Sequence, residues 1–529
     1  MHPRLTAVAA AAVLAVAAHP ASAETLRFAF QGDVGTLDPH GLNETFTLGF
    51  QGNIYEGLTR RGSDLAIEPA LAERWEIVEP TRWRFHLRQG VTFHNGNPFT
   101  ADDVVFSAER TLKDGSNLVT RLSGVAEVVK VDDHTVDFVT KVPNPILISD
   151  WDTWYIMDKE WAEANDTAEP TSASDTSSEN YANRHANGTG PFMVTVREPD
   201  VRTVAVPNPN WWDEATHDLT EIVFQPIASD PTRVAALLSG EMDLVYPVPL
   251  QDVQRVDGNP GTTALTGPEL RTIFLGMDQS RDELLYSSVA GTNPFKDRRV
   301  RQAFYQAIDT DAISRVVMRG QSTPAASMVA PGIIGFPEGL ARHPFDAEAA
   351  KALLAAAGYA DGFEVTLDCP NDRYVNDEAI CQAVVGMLGR VGIKVDLLAQ
   401  SKVQYFAKVL DTGGYDTSFY LLGWTPGSFD SWNALHNLVG TRNTDSGRGT
   451  FNLGGYTSPA IDALADRILV ETDLEKRDAL IDEAWQTLHE DVGYIPVHQQ
   501  ALSWGVRDGV ELAQRADNVF SWRFVTIGG

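Results

Sequence analysis

The chain has 529 residues, of which 43% are hydrophobic and 22% charged, and it carries a formal net charge of −30 at pH 7. This length is too great for one hydrophobic core, so two or more compact units are expected. The acidic excess disfavours nucleic acid and anionic membrane surfaces as partners, and two cysteines are too few for a zinc cluster.

The first 23 residues have the pattern of a cleavable secretory signal peptide. Arg4 precedes an apolar run over residues 5–18, and residues 21–23 (Ala-Ser-Ala) have the small side chains of a cleavage site. The alternative is a membrane anchor, but the run is shorter than the roughly 20 apolar residues that a span needs. No cysteine at the cleavage site could carry a lipid. We therefore expect an unanchored protein in the periplasm of a Gram-negative bacterium.

The N-terminal half has the pattern of β-structure interrupted by short helices. Trp83, Phe85 and Leu87 alternate with polar residues, as in a half-buried strand, and residues 135–139 have the same character. Residues 100–103 (Thr-Ala-Asp-Asp) predict a capping box at the start of a helix.

Two further local signals follow in this half. Residues 165–187 are rich in Ser, Thr, Asn and Asp, which predicts an exposed loop. Asp230 and Pro231 predict the N-cap and first position of another helix.

The C-terminal half alternates helix and strand. Asp346 is the predicted N-cap of a helix that ends before Gly358, and a strand is predicted over residues 363–367. Another helix and strand are predicted between residues 380 and 398. Ser458 and Thr472 are predicted to cap two more helices. This alternation indicates an α/β lobe around a partly parallel sheet.

The sequence motifs typical of enzyme active sites are absent. The sequence lacks the GxSxG, HExxH and GxxxxGK[ST] signatures, and we expect no metal and no cofactor. In an oxidising compartment Cys369 and Cys381 are expected to form one disulfide, the alternative being two free thiols.

One stretch near the middle of the C-terminal half is rich in aromatic residues. Six lie within 18 residues, where about two would be expected from average composition, and they are Tyr415, Phe419, Tyr420, Trp424, Phe429 and Trp432. Trp424 opens a loop after a strand predicted over residues 417–422. Loops at strand ends line ligand crevices in α/β lobes. Tyr420, Trp424 and Trp432 are therefore candidate ligand contacts, the alternative being core or lobe-interface packing.

Ordered blocks of the sequence resemble the family 5 (cluster C) extracellular solute-binding proteins, which include dipeptide-, oligopeptide-, nickel- and glutathione-binding receptors of ABC importers. The blocks cover nearly the whole chain and lie at residues 71–110, 188–192 (GTGPF), 208–212 (NPNWW), 230–245, 293–309, 345–363 and 456–497. The resemblance implies an α/β, two-lobed periplasmic binding protein fold of type II. Such lobes close on a ligand by hinge motion.

The same resemblance implies how the chain is divided. Lobe I is expected to comprise residues 24–60, 190–268 and 500–529, with an inserted subdomain over residues 61–189. Lobe II is expected over residues 269–499.

The resemblance also implies ligand anchors. Dipeptide binders of this family hold the peptide carboxylate with an arginine, and CPNDRYVND places Arg373 at that position. A buried guanidinium forms paired, charge-assisted bonds with a carboxylate, whereas the alternative is a surface salt bridge. Asp33, Thr36 and Arg271 are further candidates, the first two in the entry loop and the third near the hinge.

One family anchor is missing. Peptide binders place an aspartate three residues after the tryptophan of the GW motif, to hold the ligand ammonium, and this chain has Gly427 there. Asp430 is a candidate substitute if its loop folds inward, the alternative being solvent exposure. The ligand class therefore stays open among modified peptides, opine-like or glutathione-like acids, sugars and metal chelates.

These observations predict a monomeric receptor that captures a peptide-like or other small carboxylate-bearing solute and docks on the transmembrane subunits of an ABC permease. A chemosensory receptor of the same fold is an alternative. A periplasmic peptidase is a third, against which the missing nucleophile and metal motifs argue.

Overall fold

The structure is a computed structural model that describes residues 24–173, 179–410, 413–443 and 446–528. The predicted signal peptide, residues 1–23, lies outside the described residues. Within those ranges every helix is too short or too polar to cross a lipid bilayer.

The first part of the chain contributes one strand to a large sheet and then forms a small sheet of its own. Its elements are β1 (Thr25–Phe30), α1 (Thr45–Gln51), β2 (Thr59–Arg61), β3 (Ile67–Pro69), β4 (Ala72–Glu79), β5 (Arg82–Leu87), α2 (Ala101–Thr111), α3 (Val119–Leu122), β6 (Val125–Asp132), β7 (Thr135–Thr140) and α4 (Lys159–Ala164). The small antiparallel sheet has the order β4-β5-β7-β6. Its buried face carries Trp83, Phe85 and Phe138, which confirms the predicted alternation.

The chain then returns to the large sheet. The next elements are β8 (Phe192–Glu198), β9 (Arg202–Pro207), β10 (Glu221–Pro226), α5 (Asp230–Ser239), β11 (Leu244–Tyr246), α6 (Val253–Asp257) and β12 (Thr262–Met277). The C-terminal half follows with α7 (Arg298–Ala307), α8 (Thr310–Ala312), β13 (Ser322–Pro324), α9 (Ala347–Ala356), β14 (Glu364–Pro370), α10 (Asp377–Gly389), β15 (Lys394–Gln400), α11 (Lys402–Val409), β16 (Phe419–Trp424), α12 (Ser431–Ala434), α13 (Pro459–Val470), α14 (Leu474–Asp491), β17 (Ile495–Arg507), β18 (Val510–Glu511) and β19 (Thr526–Ile527).

The described residues form an eleven-stranded sheet that runs through both halves of the molecule. Its order is β15-β14-β16-β12-β17-β11-β1-β10-β9-β8, and β13 pairs with β17. We call the half around β1 lobe I, the small sheet with its helices the inserted subdomain, and the half around β14 lobe II. This architecture confirms the predicted α/β, two-lobed fold.

The long strands β12 and β17 connect the two lobes. In lobe I, residues 262–268 of β12 pair with residues 501–507 of β17, whereas in lobe II the pairing resumes at Thr272 with Gln499. The register shifts between Pro268 and Thr272, and a shift bends paired strands locally. The hinge therefore lies where these two strands pass from lobe I to lobe II. The predicted bounds of the domains stay a prediction.

Lobe II has a hydrophobic core on each face of its sheet. One face packs against α7, α9 and α10, and the other against α13 and α14. The predicted disulfide between Cys369 and Cys381 is confirmed, and it joins β14 to α10. The alternation of helix and strand predicted for this lobe is confirmed as well.

Several predicted helix starts are confirmed and two are wrong by one residue. Thr100 and Asp103 form the capping box of α2, and Asp346 and Ser458 cap α9 and α13. Helix α14 is capped by Asp473 instead of Thr472, because the Asp473 carboxylate accepts the N–H of the residue three positions on.

The second wrong N-cap is Asp230. Helix α5 begins at Asp230 and Ser229 is its N-cap. The carboxylate of Asp230 is paired with the Arg233 guanidinium instead, which leaves it unavailable for the cap.

The exposed loop predicted over residues 165–187 is corrected by the structure in its described part. Thr167, Asn183 and Asn187 are buried. The Asn187 side-chain amide donates to Asp158 Oδ2 at 2.8 Å, and that of Asn183 donates to Thr36 Oγ1 at 3.0 Å. The polar composition of this segment therefore reflects buried hydrogen bonding and not exposure alone.

Candidate functional site

The edge of lobe II next to the hinge is formed by the carboxyl ends of three parallel strands. β14 pairs in parallel with β15 and with β16, so these strands end on the same side of the sheet. Trp424, at the end of β16, pairs with Thr272 beside the hinge. The carboxyl ends of strands in α/β sheets are where ligands bind, which makes this edge the candidate site.

The loop after β14 is fixed by hydrogen bonds to three elements. The Asp377 carboxylate accepts the backbone N–H groups of Arg373 and Tyr374, both at 2.9 Å. The Tyr374 hydroxyl donates to the carbonyl of Gly423 on β16 at 3.4 Å. The N–H of Val375 donates to the Gln500 side chain on β17. Arg373 therefore projects from a rigid loop that touches both lobe II and the hinge.

Two guanidinium groups lie beside the same aromatic ring. The Cζ atom of Arg373 is 5.0 Å from the Tyr374 ring centroid, and that of Arg271 is 6.0 Å from it. Arg271 pairs with Glu269 at 3.3 Å, whereas the Arg373 guanidinium forms no ion pair with any residue that the structure describes.

The pKa of Arg373 supports the view that its charge is not compensated. Burial, followed by the positive charge of Arg271, lowers this pKa below its ordinary value. A negatively charged group at this place would relieve both effects. The arrangement can therefore hold an anion.

A carboxylate of lobe I contributes to the field at Arg373. Glu44 is exposed and acts on Arg373 electrostatically. Its two oxygens accept the N–H groups of Phe46 and Thr47 at the start of α1. Lobe I thus contributes acidic charge near the hinge.

The predicted candidates of the entry loop have partners within lobe I. Asp33 forms an ion pair with Arg197 at 2.9 Å. Thr36 is buried, and its hydroxyl accepts hydrogen bonds from the Asp38 N–H and the Asn183 amide. These bonds hold the entry loop in its conformation. The role of Asp33 and Thr36 as ligand contacts stays a prediction.

The aromatic candidates differ in their accessibility. Tyr420 is fully buried in the core of lobe II, so it packs inside the lobe and offers no surface to a ligand. Trp424 is half-buried at the end of β16, and its indole N–H donates to Asn433 Oδ1 at 3.0 Å. Trp432 is also half-buried and donates to the carbonyl of Ala465. Trp424 is the one of the three that lies at the candidate edge.

Asp430 lies in a loop that folds inward, but its carboxylate is occupied. It is fully buried, and its two oxygens accept from Arg477 Nη1 and Nη2 at 2.7 and 2.8 Å. One of these oxygens also accepts the N–H of Trp432 at the start of α12. Asp430 therefore holds the loop in place and has little capacity left for a ligand ammonium.

The loop over residues 425–430 also contacts residues outside lobe II. The Arg61 guanidinium carbon is 4.5 Å from the ring centroid of Phe429. A Cβ atom at Gly427 would lie 3.6 Å from Arg121 Nη1, and Leu65 packs against the core of lobe II. These contacts bring lobe II against the inserted subdomain and the β2–β3 turn, as in a closed two-lobed receptor.

Three residues at this edge and its lobe contact were not predicted from the sequence. Tyr374 directly follows the predicted Arg373, whereas Glu44 and Arg121 are more than 200 residues away from it. Only the folded chain brings such residues together, so no local pattern indicates them.

The chain is similar to known proteins along most of its length. The sequence model described as "Bacterial extracellular solute-binding proteins, family 5 Middle" matches residues 66–446. One similar protein is the glutathione-binding protein GsiB of Salmonella typhi, which is 25% identical over 498 residues, 92% of this chain and 91% of that protein.

Two solved structures show the same architecture. The periplasmic binding protein DppA of Helicobacter pylori in complex with the peptide STSA has a TM-score of 0.75 and 24% identity, covering 96% of this chain and 98% of that one. AgaA of A. tumefaciens R10 in complex with agropinic acid has a TM-score of 0.74 and 25% identity, and the match covers 96% of this chain and 99% of that one.

Proposed function

The chain belongs to the bacterial extracellular solute-binding proteins, family 5, and from this premise we propose that it is the periplasmic receptor of an ABC importer for a small carboxylate-bearing solute. The solute binds between the lobes at the hinge, and the closed form docks on the permease as a monomer. No covalent bond is made or broken. The protein is therefore a receptor and not an enzyme.

The observation that carries the ligand class is the Arg373 guanidinium. It lies with Arg271 beside Tyr374 and has no carboxylate partner among the described residues. Arg373 is exposed to solvent, yet partial desolvation and the charge of Arg271 lower its pKa, and a ligand carboxylate supplies the bidentate partner that this side chain suits. The glutathione, peptide and agropinic acid bound by the three similar proteins all carry such a group.

The test is a binding measurement on the purified protein and on Arg373→Met. Native mass spectrometry identifies any solute that stays with the protein, and calorimetry measures affinity for that solute, glutathione, the peptide STSA and agropinic acid. We expect Arg373→Met to weaken binding of the best acid by at least about tenfold, the scale of one charged hydrogen bond.

The matched control is Arg390→Met, which removes an exposed arginine of the same lobe and should leave the affinity unchanged. Both variants should keep the thermal midpoint of the wild type within a few degrees. Equal affinity of wild type and Arg373→Met for every acid, or a retained solute without any acidic group, would overturn the proposed ligand class.

A further inference from the structure

The contact between lobe II and the inserted subdomain contains polar groups that the protein itself does not satisfy. Arg121, at the end of α3, faces Gly427 and donates from Nη1 to the carbonyl of Asp150 at 3.3 Å. Its Nε atom is buried without a hydrogen-bond partner. The Asp150 carboxylate forms no hydrogen bond or ion pair with any described residue.

The lobe II loop that carries Gly427 has two hydroxyl groups close to it in the chain. Thr425 Oγ1 and Ser428 Oγ are buried without hydrogen-bond partners, and Ser428 is only 1% exposed. A buried polar group without a partner costs about 1–3 kcal/mol. A polar ligand group placed beside these hydroxyls would remove that cost.

The other charges around the contact already have partners. Asp152 pairs with Arg61 at 3.4 Å, and Asp430 pairs with Arg477. The Asp150 carboxylate and the Arg121 guanidinium therefore remain without a direct ion-pair partner among the residues that the structure describes.

The titration of Asp150 agrees with this geometry. Burial raises its pKa to about 6, the carboxylates of Asp152 and Asp430 raise it as well, and Arg121 and Arg61 act in the opposite sense. A ligand cation next to this carboxylate would be stabilised by the same negative surroundings.

We propose that this contact binds a free α-amino acid head group, with the ligand ammonium at Asp150 and its α-carboxylate at Arg121, Thr425 and Ser428. The inference rests on the proposed function, since Arg373 holds a second carboxylate of the same ligand. A ligand with an ammonium group but no adjacent carboxylate would leave Arg121 and the two hydroxyls without partners. A ligand with a carboxylate but no ammonium would leave Asp150 without one. The ligand class is thus an amino acid derivative with a second acidic group.

Tyr374, next to Arg373, and Arg121 contact the two ends of the same short segment of lobe II. Tyr374 contacts Gly423, and Arg121 faces Gly427, four residues further along the chain. Four residues span at most about 14 Å. Gly427 is exposed and has no side chain of its own to occupy the space beside Arg121.

Two isomeric dipeptides provide a sharp test. In γ-glutamylglycine the ammonium and a carboxylate share one carbon, as in a free amino acid, whereas in α-glutamylglycine they do not; composition and charge are the same. By calorimetry at pH 7.5 we expect the γ-isomer to bind at least about tenfold more tightly, because only it satisfies Asp150 and Arg121 together. Asp150→Asn and Arg121→Gln should each reduce this preference to below about threefold.

Two control variants separate this inference from the proposed function. Glu127→Gln removes an exposed acid of the same subdomain and should keep the preference, and Arg373→Met should weaken both isomers equally. Equal binding of the isomers, with Arg373→Met still weakening both, overturns the α-amino acid site alone. Isomer binding that does not depend on Arg373 overturns the proposed function. If neither isomer binds and the retained solute has no α-amino acid group, the inference is also wrong.

Discussion

At the scale of single residues, the charged side chains around the candidate edge fall into two groups. Some are paired with an opposite charge of the protein itself, and others are not. Asp430 is fully buried and bonded through both oxygens to Arg477, whereas Arg373 and Asp150 have no ionic partner in the described part of the chain. A charged group that the fold already neutralises contributes to stability, and one that it leaves unpaired is available to a ligand.

Asp430→Asn should therefore damage the fold more than the binding site. The change leaves the guanidinium of Arg477, which is 2% exposed, buried without its counter-ion. We expect the free energy of unfolding to fall by about 3–5 kcal/mol, measured by denaturation in urea. Asp466→Asn, which breaks an exposed pair with Arg448, should change it by less than about 1 kcal/mol. Unchanged stability with a large loss of affinity would instead make Asp430 a ligand anchor.

At the scale of elements, the site depends on how the loop after β14 is held. The disulfide ties Cys369 of β14 to Cys381 of α10, twelve residues apart, and so encloses the loop that carries Arg373. Both cysteines are fully buried in the core. The cross-link therefore restricts the unfolded chain and braces the loop in the folded protein.

Replacing both cysteines, as Cys369→Ser with Cys381→Ser, should lower the free energy of unfolding. For a closed loop of this length the chain-entropy argument gives about 3 kcal/mol, and differential scanning calorimetry will show it as a lower midpoint. Reductant should lower the midpoint of the wild type and leave that of the double variant unchanged. A reductant effect of equal size in both proteins would mean that the disulfide does not cause the difference.

At the scale of the whole molecule, function depends on two lobes that move about β12 and β17. The register shift of these strands allows bending, and contacts of residues 425–430 and Leu65 across the lobes favour closure. A ligand that bridges Arg373 and the Arg121–Asp150 contact binds the closed form better, so it shifts the population toward closure.

Leu65→Asn should weaken closure without harming either lobe. Leu65 packs on lobe II from a turn where its φ is +68°, a conformation that asparagine tolerates well. Loss of this apolar contact is worth about 1 kcal/mol, so the affinity for the best ligand should fall about fivefold. Small-angle X-ray scattering should show a larger radius of gyration for the ligand-free variant.

The control for this experiment is Val201→Asn, an exposed apolar residue of lobe I outside the lobe contact. It should leave both the radius of gyration and the affinity unchanged. The closure argument fails if Leu65→Asn and Val201→Asn behave alike.

Much of the fold was predictable from the sequence because its signals are local. The alternation of Trp83 and Phe85, the caps at Thr100, Asp346 and Ser458, and the helix–strand alternation of lobe II each depend on neighbouring residues and were confirmed. The capping error at Thr472 arose because the adjacent Asp473 accepts the backbone N–H instead, and the error at Asp230 arose because its carboxylate pairs with Arg233.

The sequence by itself indicated the class of protein, the two-lobed architecture and the candidate anchor Arg373, because ordered blocks along it resemble a known family. It also indicated the disulfide, because a secreted chain with two cysteines is expected to pair them. Only the tertiary structure decided that Tyr420 is core, that Asp430 is neutralised by Arg477, and that Arg121 faces Gly427. These facts depend on burial and on partners far away along the chain. Whether a charge is free to meet a ligand is set by those distant neighbours, and they become neighbours only when the chain has folded.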